Sequence, residues 1–226
     1  MANSVRNFKN HVYEQLARIG KALASPQRLE ILDLLGQGIP RSVESLAREA
    51  HLSVANTSRH LQILRAARMV ETQKDGVFVY YRLVDEAVAD LSRTLRVLAH
   101  SRLAELEQIT RHYFQGRDSL EPINRKTLLA RAKKGEVIVL DVRPAEEYQA
   151  GHLPHARSIP FADLEVRVSE LPKKTDIVAY CRGPYCVWAG EAVALLRDKG
   201  FQAVRLEDSV HDWRAHGLPV SAGDTP

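Results

Sequence analysis

Apolar positions recur at helical spacing from the start of the chain. Phe8, Val12, Leu16 and Ile19 share one stripe and predict an amphipathic helix over residues 5–19. Ser25-Pro26 reads as a helix start, with Ser25 as cap and Pro26 in the first turn. Leu29, Ile31, Leu32 and Leu35 then form a stripe that ends at Gly36 and Gly38. Ser42 opens a short helix (Val43, Leu46, Ala47), but Ser45 stands where a capping box needs an acid or amide. Ser53 caps a further helix running to Arg65–Ala67. Two short helices joined by a tight turn, the second rich in small polar residues and arginine, form a helix-turn-helix pattern. The period then changes to that of strands. Val70 to Lys74 and Val77 to Leu83 flank Asp75-Gly76, a pair suited to a two-residue hairpin turn in which both positions take positive φ. A hairpin directly after such a helix is a wing. Leu91, Leu95, Leu98, Leu103, Leu106 and Ile109 give apolar faces to one long helix over residues 85–114.

Beyond it the pattern alternates between strands and helices. Gly116-Arg117-Asp118-Ser119-Leu120-Glu121-Pro122 is polar and punctuated by glycine and proline, which predicts a linker over residues 116–124. That linker separates a domain of residues 1–115 from one of residues 125–222. A helix from Arg125 to Lys134 precedes Val137 to Arg143, a continuous apolar run of the kind buried in parallel sheets. Pro144 to Tyr148 starts a short helix, and Gly151 to Pro160 is a loop entering another strand. Asp176 to Tyr180 reads as a short buried strand, and Ala189 to Lys199 as a helix closed by Gly200. Strands alternating with helices imply an α/β layer architecture with a parallel sheet.

Composition narrows the class. At 226 residues there is room for two ordinary domains, and 45% hydrophobic with 27% charged residues describes a soluble globular protein. No apolar run approaches the roughly 18 residues that span a bilayer, and Met1 to Phe8 lacks the apolar core of a secretion signal. Two cysteines in so long a chain argue against a disulfide scaffold and for a reducing, cytoplasmic compartment. The net charge of +4 is uneven: residues 1–115 carry 16 Lys+Arg against 12 Asp+Glu, and residues 116–226 carry 16 against 16. A basic excess confined to the first half is what a polyanion-binding half needs.

The chemistry concentrates in Cys181-Arg182-Gly183-Pro184-Tyr185-Cys186, which holds both cysteines. A cysteine at a strand end, with a helix beginning just beyond, lies where backbone N–H groups favour an anion and lower a thiol pKa. The alternative is a small buried hydrophobe, the usual place of a free cysteine. Arginine, glycine, proline and a second cysteine in one turn favour the reactive thiol.

Residues 21–84 resemble the ArsR/SmtB winged-helix repressors. The resemblance rests on Ala22-Leu23-Ala24-Ser25-Pro26-Gln27-Arg28-Leu29-Glu30-Ile31-Leu32, on Leu52-Ser53-Val54 through Ser58-Arg59-His60-Leu61, and on Gly76 through Leu83. It implies a mainly α winged helix-turn-helix that binds a double-stranded DNA operator as a homodimer built through its first and last helices. Asn56, Thr57, Ser58, Arg59 and Gln62 are then expected on the outer face of the recognition helix, with Arg and Asn/Gln suited to base edges and Ser/Thr to phosphates. His60 packs or touches phosphate, and Lys74 at the wing meets the backbone. Metal-sensing members carry Cys-Val-Cys where this chain reads Arg41-Ser42-Val43-Glu44-Ser45. His100, His112, Glu105 and Glu107 do not reproduce the other metal set, so no metal site is expected.

The second half resembles a rhodanese domain. The residues are Leu140-Asp141-Val142-Arg143, Glu146-Glu147-Tyr148, Gly151-His152-Leu153-Pro154-His155-Ala156, Tyr180-Cys181-Arg182, Gly200-Phe201, Leu206-Glu207-Asp208 and Trp213 through Val220. The resemblance implies sulfane-sulfur transfer through a persulfide on Cys181, without a cofactor, between a small sulfur donor and a thiol acceptor. Cys181, Arg182 and Cys186 are the expected chemical set; Asp141 and Arg143 organise the domain. The loop is two residues longer than the usual pattern, and Cys186 stands where an arginine would. Phosphatases and arsenate reductases related to rhodanese use Cys-x5-Arg; Val187 fills that last position and disfavours their chemistry. Cys186 is either a resolving thiol or a packed one. Three readings follow: a regulator that senses sulfur or redox signals, a working sulfurtransferase that controls its own expression, or a repressor with an idle rhodanese-like module.

Overall fold

A computed structural model describes residues 2–115 and 124–223. It divides into two compact units, Met1–Ser92 and Arg93–Pro226. Most of the expected linker lies outside the described residues. Its last residue, Asn124, caps the next helix, its side-chain oxygen accepting from the Thr127 N–H at 3.0 Å.

The first unit begins with α1 (Ala2–Leu23) and α2 (Pro26–Leu35), followed by β1 (Arg41–Ser42), α3 (Val43–Glu49) and α4 (Val54–Ala66). A hairpin of β2 (Val70–Asp75) and β3 (Phe78–Leu83) closes the winged helix. The sheet is antiparallel in the order β1-β3-β2, with Arg41 opposite Tyr81 and Val70 opposite Leu83. Ile31, Leu32, Leu35, Leu46, Leu61 and Leu64 meet Met69 and Val70 in its core. Ser42 and Ser53 cap α3 and α4 by accepting from Ser45 and Asn56 N–H groups. Ser25 precedes α2 but makes no side-chain cap, because its hydroxyl donates to Gln27 Oε1 at 2.9 Å. The hairpin turn also differs from expectation. Asp75 pairs with Phe78, so the two-residue loop is Gly76-Val77, and only Gly76 takes positive φ (59°).

The apolar run over residues 85–114 forms two helices, α5 (Glu86–Arg102) and α6 (Ala104–Tyr113), broken at Leu103, whose backbone is extended. The break falls at the five-residue step from Leu98 to Leu103, where Ser101 and Arg102 occupy the positions that would continue the apolar spacing. The division between the units falls inside α5.

The second unit continues with α7 (Arg125–Lys133), β4 (Val137–Asp141), α8 (Ala145–Ala150), β5 (Ala156–Ser158), α9 (Phe161–Arg167) and a short 3-10 turn. β6 (Asp176–Tyr180), α10 (Val187–Asp198), β7 (Ala203–Arg205) and α11 (Val210–Ala215) complete it. The four strands are parallel in the order β5-β4-β6-β7. Every residue of β4 is buried, as its unbroken apolar run requires. Ile138 and Leu140 turn to one face with Ile177, Ala179 and the α10 residues Ala192, Val193 and Leu196. Val137 and Val139 turn to the other with Val178, Tyr180, Leu128 and Trp213. Burial of the sheet on both faces fixes its register and holds the C-terminal ends of β4 and β6 level, with Asp141 opposite Tyr180. Among the described residues no helix is long and apolar enough to cross a membrane.

Candidate functional site

The loop from Cys181 to Cys186 leaves the C-terminal end of β6, the end at which open parallel sheets place their ligands. Cys181 is buried beneath it at 1% exposure, while Cys186 is the half-buried N-cap of α10. The helix starts at Val187, two residues earlier than the sequence pattern placed it, so Cys186 sits directly at its N-terminus. The turn is drawn together by the Cys186 N–H donating to the Gly183 carbonyl at 3.1 Å. Gly183 itself has φ 128°, a conformation open to glycine. The result is a Cα separation of 6.2 Å between the cysteines, which are joined as a disulfide. This distance lies within the span of roughly 4.4–6.8 Å that a disulfide bridges.

Arg182 does not face the thiols' surroundings as a free cation. Its Nε lies 3.0 Å from both Glu147 oxygens, its Nη2 donates to Glu147 Oε1, and its guanidinium rests over the Trp188 ring at 4.5 Å. Glu147 is fully buried on α8. This carboxylate is the site residue that sequence reasoning missed. Glu146-Glu147 offers two adjacent acids, and only the helical phase of α8 decides that Glu147 turns inward and Glu146 outward.

Below the loop lies a buried polar network. Arg143 donates through Nη2 to Asp141 Oδ2 at 2.6 Å and to the Gly151 carbonyl at 2.7 Å. Tyr180 donates its hydroxyl to Asp141 Oδ2 and accepts the Leu153 N–H at 3.1 Å. Burial opposes charge on Arg143, but Asp141, with its hydrogen bonds, outweighs burial and raises the pKa. Tyr180 is raised well above its ordinary value, by burial first and the Asp141 charge second, so it stays a neutral donor. His152 is buried, stacked on Tyr148 at 3.7 Å, with Nδ1 2.9 Å from the Tyr148 carbonyl. His155 is exposed in a left-handed turn (φ 63°). Both histidines shape the loop ahead of β5.

On the first unit α4 presents Asn56, Arg59 and Gln62 to solvent, with Ser58 and His60 half-buried. Thr57 departs from expectation. It is fully buried, and its hydroxyl donates to the Ser53 carbonyl at 3.0 Å, so it anchors the first turn of α4 instead of lying on the outer face. His60 has its pKa lowered, first by burial and then by the nearby Arg28 and Arg59 charges, and its Nδ1 has no hydrogen-bond partner among the described residues. Lys74 is exposed on β2, next to the wing tip.

A winged helix with an exposed polar face on its second helix, joined to a parallel α/β unit with a cysteine loop at its strand ends, defines a two-part regulator. Comparison with known proteins agrees. Residues 25–72 match the bacterial regulatory protein, arsR family, and residues 124–216 match the rhodanese-like domain. An HTH-type transcriptional regulator of Mycobacterium tuberculosis is 44% identical over 215 residues, covering 95% of this chain and 94% of that one. A sulfurtransferase of Allochromatium vinosum is 33% identical over 88 residues, 38% of this chain and 80% of its own length. An HTH-type transcriptional regulator of Escherichia coli is 35% identical over 83 residues, 37% of this chain and 84% of its own. The chain belongs to the ArsR-family transcriptional regulators and carries a rhodanese-like domain. It is thus a DNA-binding regulator of the ArsR type.

Proposed function

We propose that this regulator senses sulfane sulfur through Cys181 and Cys186 and alters its operator affinity accordingly. The observation that carries the reading is the approach of the two cysteines within disulfide range, Cα to Cα 6.2 Å, across a loop of four residues. The chemistry has two steps. The Cys181 thiolate attacks the sulfane sulfur of a polysulfide or thiosulfate; a Cys181 persulfide forms, and the shortened polysulfide or sulfite leaves with the electron pair of the broken S–S bond. The Cys186 thiolate then attacks Cys181 Sγ, the Cys181–Cys186 disulfide forms, and the outer sulfur departs as hydrosulfide. The sulfur donor is the oxidant, and both thiols are oxidised. Cys186 at the N-terminus of α10 suits its role as attacking thiolate, since the unpaired N–H groups of a helix start stabilise an anion. Arg182, engaged by Glu147, leaves no loop arginine free for an oxyanion, which favours polysulfide over thiosulfate as donor.

On the DNA side, Asn56, Arg59 and Gln62 are the proposed base-reading residues, with Ser58, His60 and Lys74 at the phosphates. A homodimer is supported by α1, whose Phe8, Val12 and Leu16 remain exposed at 40–67%. An apolar stripe of that kind is buried most simply against its own copy.

Mass spectrometry of the full chain after polysulfide treatment tests the cysteine chemistry. Wild type should lose two hydrogens to the disulfide, Cys186→Ser should hold a persulfide at +32 Da (about one added sulfur atom), and Cys181→Ser should gain neither. Cys186→Ser that still yields the same oxidised species as wild type would remove the resolving step.

A second reading, a turning-over sulfurtransferase, is favoured by the similarity to the Allochromatium vinosum sulfurtransferase. It requires an external thiol to take the outer sulfur faster than Cys186 does. Multiple turnovers of thiocyanate or acceptor persulfide per chain would establish it.

A further inference from the structure

The loop between the two cysteines is held from outside the rhodanese match. Residues 93–114 precede that match, which begins at residue 124, yet belong to the same compact unit as the loop. Three of the four residues between the cysteines touch this segment or are tied to it. At Gly183, the space a Cβ would fill lies 3.7 Å from Arg96 Nη1 and 3.9 Å from Asp212 Oδ2. Arg96 and Asp212 form an ion pair at 2.6 Å, and Asp212 also caps α11 through Ser209. At Pro184, the carbonyl accepts from Arg205 Nη1 at 2.8 Å, and the Arg205 guanidinium lies over the Phe114 ring at 3.6 Å. At Tyr185, the ring stacks on His100 at 5.6 Å with 12° between the planes. Arg96, His100 and Phe114 thus bracket the loop along its length.

We infer that residues 93–114 are a clamp that reads the thiol state of the Cys181–Cys186 loop. The inference rests on the proposed cysteine chemistry and adds the element that detects it. The disulfide holds the two ends of the loop 6.2 Å apart and so fixes where Gly183, Pro184 and Tyr185 stand. A persulfide adds a sulfur atom beneath a loop whose Cys181 is already buried, and a dithiol removes the covalent tie. Each state therefore offers the clamp a different surface, and a difference in contact is what shifts an equilibrium. Glu86 to Arg102 is one helix that begins before the division at Ser92, so altered engagement at Arg96 and His100 acts on an element shared by both units.

The test uses the full chain, with its disulfide made by diamide and its dithiol by a reductant, each verified by mass. Hydrogen–deuterium exchange of residues 93–114 should differ between the two states. The ratio of operator affinities between them should be about 5–150-fold in wild type, the span of ordinary allosteric coupling. Tyr185→Ala and His100→Ala should still form the disulfide while that ratio falls toward one, and Tyr185→Phe, which keeps the stacked ring, should retain it. Tyr185 is exposed, so its truncation does not threaten folding. Unchanged exchange in residues 93–114 with the disulfide present would overturn the clamp, as would full coupling in both alanine variants. Exchange that changes while operator affinity does not would uphold the clamp and overturn the sensing reading.

Discussion

Cys181 is made useful by what surrounds it at the level of single residues. Arg143, Asp141 and Tyr180 form a buried, mutually satisfied set directly under the loop. Truncating Arg143 leaves the Asp141 carboxylate charged and dry, with the neutral Tyr180 hydroxyl as its remaining side-chain donor. Arg143→Ala is therefore expected to cost about 3–5 kcal/mol, the usual cost of breaking a buried ion pair, read as a lower urea midpoint. Asp212 offers a pH handle. Burial pushes its carboxyl up, but Arg96 and the Ser209 hydroxyl and N–H outweigh burial and hold the pKa below the ordinary 3.8. As pH falls through 3.8 the unfolded carboxyl protonates first while the folded one stays ionised. The unfolded state then binds more protons, and stability declines. This contribution is complete above that range and lost as pH falls through the folded value. Urea midpoints followed from pH 6 to pH 3 should fall more steeply in wild type than in Asp212→Asn.

Local signals in the sequence decided most elements, and the exceptions have physical causes. Ser42 and Ser53 were legible as caps because a serine before an apolar stripe has one favourable use. Ser25 looked the same, yet Gln27 competes for its hydroxyl. The Asp75-Gly76 pair announced a hairpin, but cross-strand pairing of Asp75 with Phe78 moved the turn one residue on. Gly76 carries the left-handed conformation alone, so Gly76→Ala should cost about 1–2 kcal/mol, the penalty of a Cβ in that region, measurable by thermal unfolding. On α4, sequence could name polar residues but not their phase. Burial of Thr57 follows from its neighbours Leu61 and Leu64 facing the core. Arg59, which points outward, should matter for DNA: Arg59→Ala is expected to weaken operator binding by about 1–3 kcal/mol, tested by fluorescence anisotropy.

For the whole molecule, two resemblances in two stretches of sequence were enough to expose a winged helix and a rhodanese-like unit. What they could not expose was the neighbourhood of the cysteine loop. The buried acid that engages Arg182 comes from α8, and the ring that meets Tyr185 comes from α5, each far away along the chain. Such contacts depend on tertiary placement and leave no periodic trace. If sulfane sulfur acting on Cys181 changes how this regulator holds DNA, as proposed, the change must appear in operator affinity. The most direct measurement is operator affinity of the full chain, reduced and then treated with polysulfide, for wild type and Cys181→Ser side by side. Wild type should shift by about fivefold or more, at the lower bound of allosteric coupling, and Cys181→Ser should not shift. Equal responses from the two proteins, or no response from wild type with its disulfide demonstrated, would contradict the proposal.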